Sequence, residues 1–174
     1  MDKVYEPVQV YLLRQQGDGV VLGELVEHKW AEETSGTEQA CVYIALLNPA
    51  GEIYIQHRAG TKRLWPNRKT ISTSGHVDPG ETFEQAAVRE VMEELGVELT
   101  EEGLRPVGFF TGLSHCGPVY EAHSDQVPKP RPEELDAERS GFVSMGEVRR
   151  LLSTPDVLTP SGARALEIWV TGGQ

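Results

Sequence analysis

The stretch that decides the fold runs from Gly75 to Val97 and reads GHVDPGETFEQAAVREVMEELGV. It opens as a polar, glycine-containing loop and then changes to a helical pattern. Its apolar residues recur at a spacing of four, at Phe83, Ala87, Val91 and Leu95. Thr82 followed by Gln85 forms a capping box, and Gly96 is placed to end the helix. The pattern therefore predicts a bend followed by one helix from Thr82 to Leu95.

On either side of this helix, the sequence predicts strands. Upstream, alternating or β-branched segments cover residues 8–13, 20–26, 41–47 and 52–58, and a short strand enters the bend at 71–81. The turn Asn48-Pro49-Ala50-Gly51 favours a hairpin between the third and fourth strands. Downstream, we predict strands at 107–113, 118–123 and 141–144, a loop at 124–138, and helices at 146–152 and 163–170. Strands before and after a central helix indicate a mixed α/β sheet flanked by helices.

Composition limits the class of protein. The 174 residues, 39% of them hydrophobic, suit one domain over residues 1–174. A net charge of −11 argues against a nucleic-acid polymer or an anionic membrane as partner. The chain start lacks the layout of a secretory signal and no run of ~18 apolar residues occurs, so we predict a cytoplasmic protein. Cys41 and Cys116 are predicted to be reduced thiols.

Three acidic residues of the predicted helix, Glu90, Glu93 and Glu94, are spaced at i, i+3 and i+4, so they share one patch. The opposite side, which carries Val88, Val91, Met92 and Leu95, is predicted to face the core. Acidic runs are often plain solvated helix faces. Here, however, the patch adjoins an open loop, and Arg89 can pair with Glu93 at i, i+4. Magnesium prefers such oxygen ligands, so the patch predicts a site for metal-bound phosphate chemistry.

Read as one string, the segment follows a known signature without departure. The order is Gly75, five residues, Glu81, seven residues, Arg89-Glu90, an aliphatic residue, any residue, Glu93-Glu94, any residue, Gly96 and an aliphatic residue. In this it resembles the Nudix hydrolases. The resemblance implies a loop–helix–loop catalytic motif inside an α/β/α sandwich. It also implies metal-dependent cleavage of a diphosphate linkage in a small molecule, such as a nucleoside diphosphate derivative.

The resemblance also implies roles for individual residues. Mg²⁺ or Mn²⁺ would be bound by Glu90, Glu93 and Glu94, with support from Glu81 and from backbone at Gly75. Arg89 would orient a carboxylate. The general base would be Glu93, Glu94 or a late acid, the candidates being Glu133, Glu134, Asp136, Glu138 and Glu147. The sequence does not identify the diphosphate substrate, and it is compatible with a homodimer.

A second, weaker resemblance points to the isopentenyl-diphosphate isomerase branch of the same superfamily. It rests on residues 57–66, HRAGTKRLWP, and on Ser74-Gly75-His76. By analogy, Arg58 and Lys62 would bind the diphosphate of the substrate, and His76 could ligate metal. Trp65 is a further substrate-binding candidate, as an aromatic side chain that could stack on a base. The chain departs from the isomerase pattern at the acid–base groups: Ser74 replaces a cysteine, and Leu113 and His115 replace glutamates. Isomerase chemistry is therefore an alternative, as is a non-catalytic module that senses nucleotides.

Outside these segments, the adjacent residues His115 and Cys116 are of the types found in zinc and nucleophile sites. No third partner occurs at a known spacing in the sequence. On sequence alone, the pair therefore predicts no such site.

Overall fold

The structure is a computed structural model that describes residues 9–16, 19–27 and 38–172. The sequence also predicts a polar loop over residues 30–39, most of which lies outside these ranges, and a glycine-rich turn between the first two strands, of which residues 17 and 18 lie outside them. The described residues form nine strands, which are β1 (Gln9–Gln16), β2 (Gly19–Glu27), β3 (Gln39–Leu47), β4 (Ile53–His57), β5 (Lys69–Thr70), β6 (Thr73–His76), β7 (Arg105–Gly112), β8 (His115–His123) and β9 (Gly141–Val143). The helices are α1 (Phe83–Leu95), α2 (Met145–Ser153) and α3 (Pro160–Gly172), with a short 3₁₀ turn at Glu101–Gly103.

Strand β3 is the centre of the mixed sheet. It pairs antiparallel with β6 on one side and parallel with β8 on the other. Its ends also meet β1 and β4, and β7 extends the sheet beyond β8. All nine residues of β3 are buried, as expected for an apolar strand covered on both faces.

Helices cover both faces of this sheet. On one face, α1 packs Ala86, Ala87, Val91 and Leu95 against the side of β3 that carries Val42, Ile44 and Leu46. On the other face, α2 and α3 pack Val148, Leu151, Leu166 and Trp169 against Tyr43, Ala45 and Phe110. The predicted α/β/α sandwich with a mixed sheet is therefore confirmed.

The boundaries of α1 agree with the sequence signals. Thr82 is the N-cap and forms the complete capping box with Gln85, and Gly96 ends the helix at φ 61° in the left-handed region. Val91 and Leu95 are buried as predicted, but the prediction for Met92 was wrong, because its side chain is 40% exposed. The buried residues of α1 are Ala86, Ala87, Val91 and Leu95, and Met92 lies outside the stripe that they form.

The last helix is longer than predicted. It begins at Pro160 rather than Ala163, because Thr159 accepts a hydrogen bond at Oγ1 from Gly162 N at 3.0 Å. Proline suits the first helical position, where its missing N–H costs nothing.

Cys41 and Cys116 are free and buried. Among the described residues, no helix is long and apolar enough to cross a membrane.

Candidate active site

Arg89 lies at the centre of the candidate active site. Its guanidinium donates to both carboxylate oxygens of Glu81, from Nε at 2.8 Å and from Nη2 at 3.0 Å. Nη1 donates to Glu90 Oε1 at 2.8 Å and lies 3.5 Å from Glu93 Oε2. Nη2 also donates to the backbone oxygen of His76 at 2.9 Å. A planar guanidinium with several donors can hold the loop, the helix and the end of β6 in one arrangement.

Glu81 completes this arrangement from the loop before α1. Besides binding Arg89, its Oε2 accepts a hydrogen bond from Asp78 N at 2.9 Å. Burial alone would raise the pKa of Glu81, but the hydrogen bonds from Arg89 and from Asp78 outweigh it and lower the pKa. Glu81 is thus a charged carboxylate, and both of its oxygens accept hydrogen bonds that fix Arg89 and the loop.

Glu90 and Glu94 occupy the side of α1 that faces the sheet. Glu94 Oε2 accepts hydrogen bonds from Gln56 Nε2 at 2.8 Å and from the hydroxyl of Thr73. Burial, and next the charge of Glu94, raises the pKa of Glu90 to about 8 despite the opposing effect of Arg89. Burial also raises the pKa of Glu94 against the hydrogen bond from Thr73. Two half-buried carboxylates, one held by Arg89 and the other by Gln56 and Thr73, form a donor set that suits a hard divalent cation.

Gly75 gives Glu90 its place against the sheet. A Cβ atom at residue 75 would overlap the carboxylate of Glu90, so any larger residue there would have to displace that side chain. Gly75 pairs with Val42 of β3, and Thr73 pairs with Ile44, which puts both residues on the face that α1 covers. Gly75 is therefore the residue of β6 that lies against Glu90, and its place beside a metal stays a prediction.

The three glutamates of α1 do not converge as closely as predicted. Glu90 faces Arg89, Glu94 faces β4 and β6, and Glu93 is the most exposed, with 43% of its side chain accessible. In the described part of the chain, they do not form a group whose carboxylate oxygens all lie within 4.8 Å. Gln56 and Thr73, which hold Glu94, were not predicted. Thr73 could have been inferred, because strand alternation places it on the same face as Gly75.

The predicted substrate-binding residues all have protein partners, and two of them, Arg58 and Lys62, also interact electrostatically with Glu94. Arg58 donates to the backbone oxygen of Leu64 at 2.9 and 3.2 Å. Lys62 forms an ion pair with Glu134. Trp65 is 45% exposed and lies beneath Arg68, whose guanidinium carbon is 4.8 Å from the ring centroid. Their roles in substrate binding stay predictions.

Among the acidic residues that follow the helix and were predicted as candidate bases, Glu134 lies near the site, whereas Asp136 and Glu147 have partners elsewhere. Glu134 pairs with Lys62, and its charge contributes to the raised pKa of Glu94. Asp136 instead accepts hydrogen bonds from backbone of its own loop, at Glu138 N and Arg139 N. Glu147 pairs with Arg150 on the surface of α2. Among these three acids, Glu134 is the one that the fold brings to the carboxylate patch.

The family model described as NUDIX domain matches residues 37–160, which include β3, α1 and the whole candidate site. The chain belongs to the Nudix family. A Nudix hydrolase of Deinococcus radiodurans is 39% identical over 94 residues, and the match covers 52% of this chain and 55% of that protein. The match thus spans little more than half of that relative's length.

One solved structure and one isomerase sequence are also similar to this chain. The crystal structure of the Deinococcus radiodurans protein DR0079 superposes with a TM-score of 0.70 at 27% identity, covering 91% of this chain and 97% of that one. The isopentenyl-diphosphate Delta-isomerase of Salmonella heidelberg is 32% identical over 146 residues, covering 76% of this chain and 77% of that protein. The weaker resemblance to the isomerase branch is therefore also found by comparison.

A second group of chemically capable residues lies behind the Nudix helix. Cys41, His76 and His115 each bring a ligand-type atom to within 4.8 Å of the others. The sequence offers the pair His115 and Cys116 no third partner at a known spacing, and the residues that the fold brings to His115 come from other strands. Cys116, its neighbour in sequence, does not belong to the group. No spacing pattern reveals such a group, since it depends on how three strands pair.

Proposed function

We propose that this Nudix protein is a metal-dependent hydrolase that cleaves a diphosphate linkage in a nucleoside diphosphate derivative or a similar small phosphorylated molecule. The observation that supports this most directly is the set of half-buried carboxylates around Arg89, packed against the close approach at Gly75. A hydrophobic replacement would fill such a position without cost, so charged groups here favour a functional role.

Glu90, Glu93 and Glu94 would hold Mg²⁺ or Mn²⁺, supported by Glu81 and by backbone at Gly75. When bound, such a cation neutralises charge on the diphosphate oxygens and activates water for attack on phosphorus. Arg89 keeps Glu90 and Glu93 in place for this task, and Gln56 and Thr73 do the same for Glu94. Arg58, Lys62 and Trp65 would contact the substrate next to the patch.

The general base is proposed to be a carboxylate that can reach the attacking water from this patch. Glu93 is the most exposed of the three helix glutamates, and Glu134 is held by Lys62 beside Glu94. Glu147 is disfavoured, since it is engaged with Arg150 on the far helix. The single domain over residues 1–174, the cytoplasmic location and a homodimer stay predictions from the sequence.

One screen tests this function. The purified protein is incubated with Mg²⁺ and nucleotide sugars, dinucleoside polyphosphates, nucleoside di- and triphosphates or prenyl diphosphates, and released phosphate-containing products are measured. We expect hydrolysis of at least one class, and we expect Glu94→Gln to reduce its rate by roughly 100-fold or more. Glu167→Gln, on the exposed pair with Arg164, is the matched control and should keep the rate. An unchanged rate for Glu94→Gln would contradict the catalytic assignment.

Isomerase activity is a second candidate, favoured by the 32% identity to the Salmonella heidelberg enzyme. Ser74 argues against it, because a serine hydroxyl is a much weaker acid than a cysteine thiol. The test is interconversion of isopentenyl and dimethylallyl diphosphate without release of phosphate. A third outcome, nucleotide binding without either reaction, would identify a sensing module.

A further inference from the structure

The strand register places three potential metal ligands on one face of the sheet. Cys41 of β3 pairs directly with His76 of β6, and Gln39 of β3 pairs with His115 of β8. Residues 39 and 41 of one strand point to the same face. Val42 and its partner Gly75 point to the other face, toward α1 and its glutamates. Cys41, His76 and His115 therefore meet behind the sheet, away from the carboxylate patch.

The distances within this group are close to those that a metal requires. One ligand-type atom from each residue lies within 4.8 Å of the other two. Tetrahedral zinc, with bonds of roughly 2.0–2.3 Å, holds its ligands about 3.3–3.8 Å apart. Small rotations of the side chains, moving each atom by about 1 Å or less, supply the difference. Cys41 is buried, and both imidazoles are half-buried, with ring centroids 5.4 Å apart.

Each imidazole is also oriented by a hydrogen bond at one ring nitrogen. His115 Nδ1 lies 2.9 Å from the backbone oxygen of Leu113, and His76 Nε2 lies 3.0 Å from Gln39 Oε1. In the tautomers that donate these bonds, the lone pairs are on His115 Nε2 and His76 Nδ1. Histidine ligands of metals are usually held in this way, by a carbonyl or carboxylate on the other nitrogen.

The turn that carries His115 is strained. Leu113 and Ser114 form a two-residue turn between β7 and β8, and both have positive φ, 57° and 64°. Glycine and asparagine are the residues that normally adopt this conformation. Backbone strain of this kind is often retained where it positions a functional group. Here it sets both the position of His115 and the carbonyl that orients its ring.

We propose that Cys41, His76 and His115 form a second metal site, built from one thiolate and two imidazoles, for a borderline-soft divalent cation such as Zn²⁺. The cysteine loses its proton to solvent on binding, and a fourth position is left for water or another ligand. This ligand set discriminates against Mg²⁺, which prefers oxygen. The proposal does not depend on diphosphate hydrolysis.

Occupancy of this site would also affect the other face of the sheet. His76 follows Gly75 directly, and its backbone oxygen accepts the hydrogen bond from Arg89 Nη2. A metal on the His76 side chain therefore fixes the strand segment against which Glu90 and Arg89 are positioned. A metal at the second site would therefore stabilise the position of the carboxylate patch through β6, without belonging to that patch.

Cobalt spectroscopy tests the proposal. The full chain is stripped with a chelator, Mg²⁺ is added in excess to occupy oxygen ligands, and Co²⁺ is titrated. We expect one equivalent of Co²⁺ to produce a near-ultraviolet charge-transfer band from a thiolate ligand. Cys41→Ser should abolish the band, whereas Cys116→Ser, which changes the other buried cysteine, should keep it. The proposal is overturned if the wild type shows no band, or if the band depends on Cys116 instead.

A second variant covers the case in which Cys41→Ser does not fold. His115 lies at a turn and is half-buried, so His115→Gln leaves the core intact. We expect it to weaken Co²⁺ binding at least tenfold, and Gln39→Leu to weaken it by roughly 10–100-fold as a residue that orients a ligand. Glu93→Gln should leave the band unchanged. Equal Co²⁺ affinity in the wild type and His115→Gln would contradict the site.

Discussion

The Glu90 carboxylate of α1 lies so close to Gly75 of β6 that it occupies the space a side chain at residue 75 would need. A Cβ atom there would overlap the Glu90 carboxylate. The glycine is therefore required by the position of the glutamate and not by its own backbone conformation, since its φ is not in the left-handed region. The first residue of the Nudix signature and its central glutamate form one packing unit.

Gly75→Ala tests this unit. The added methyl group must push Glu90 or the strand aside, which we expect to cost about 1–3 kcal/mol of stability. Displacing a proposed metal ligand by an ångström should reduce kcat/KM for diphosphate hydrolysis by roughly 100-fold. Gly141→Ala is the matched control, because a Cβ at Gly141 meets nothing within 4 Å. Equal activity of the two variants would show that Glu90 tolerates displacement.

Arg89→Lys tests whether orientation, rather than charge alone, is what the site needs. Lysine keeps the positive charge but cannot donate to both oxygens of Glu81 while also reaching Glu90 and the His76 carbonyl. We expect the variant to lose about 3 kcal/mol of stability and at least tenfold in kcat. Urea denaturation and steady-state kinetics measure the two effects. Arg150→Lys, on the exposed pair with Glu147, should change neither quantity much.

The sequence predicts α1 well because its signals are local. The capping box at Thr82, the spacing of Val91 and Leu95, and the stop at Gly96 all act within one or two helical turns. The width of the buried stripe is not local, since it depends on which residues of the sheet pack against the helix. That is why the burial of Met92 was predicted wrongly.

The rest of the site depends on contacts between distant segments. Lys62 and Glu134 are 72 positions apart, and Gln56 reaches Glu94 across 38. The group formed by Cys41, His76 and His115 needs the register of three strands, which no periodicity of a single strand specifies. Residue types and a motif therefore indicate the reaction class, whereas the partners of each side chain emerge only with the folded sheet.

Glu121 should make stability depend on pH at a position far from any proposed metal ligand. It is buried on β8, where its Oε1 accepts a hydrogen bond from Arg105 and its Oε2 one from Trp169 Nε1, both at 2.8 Å. Burial would raise its pKa, but the hydrogen bonds from Arg105, Trp169 and His123 lower it below the ordinary 4.5. Near pH 4, the unfolded chain therefore binds more protons at this residue than the folded chain does.

The stabilisation from the Glu121 charge is consequently complete above pH 4.5 and is lost as the pH falls through the lowered pKa. We expect Glu121→Gln to cost about 1–3 kcal/mol at pH 7. The difference between wild type and variant should shrink as the pH falls below 4.5. Denaturant titrations of both proteins at pH 7 and at successively lower pH measure it. A gap that widens on acidification would contradict the lowered pKa.

Lys62→Met distinguishes a substrate contact from an internal ion pair. If Lys62 leaves Glu134 to bind the diphosphate, removing its charge should raise KM roughly tenfold, about 1.4 kcal/mol, with kcat nearly unchanged. Lys129→Met, which removes an exposed lysine from the late loop, is the control. A fall in kcat at constant KM would instead mean that Lys62 acts through Glu134, and Glu134→Gln should then reproduce it. That second result would favour Glu134 over Glu93 as the general base, because a lysine that only holds the base has no direct effect on substrate affinity.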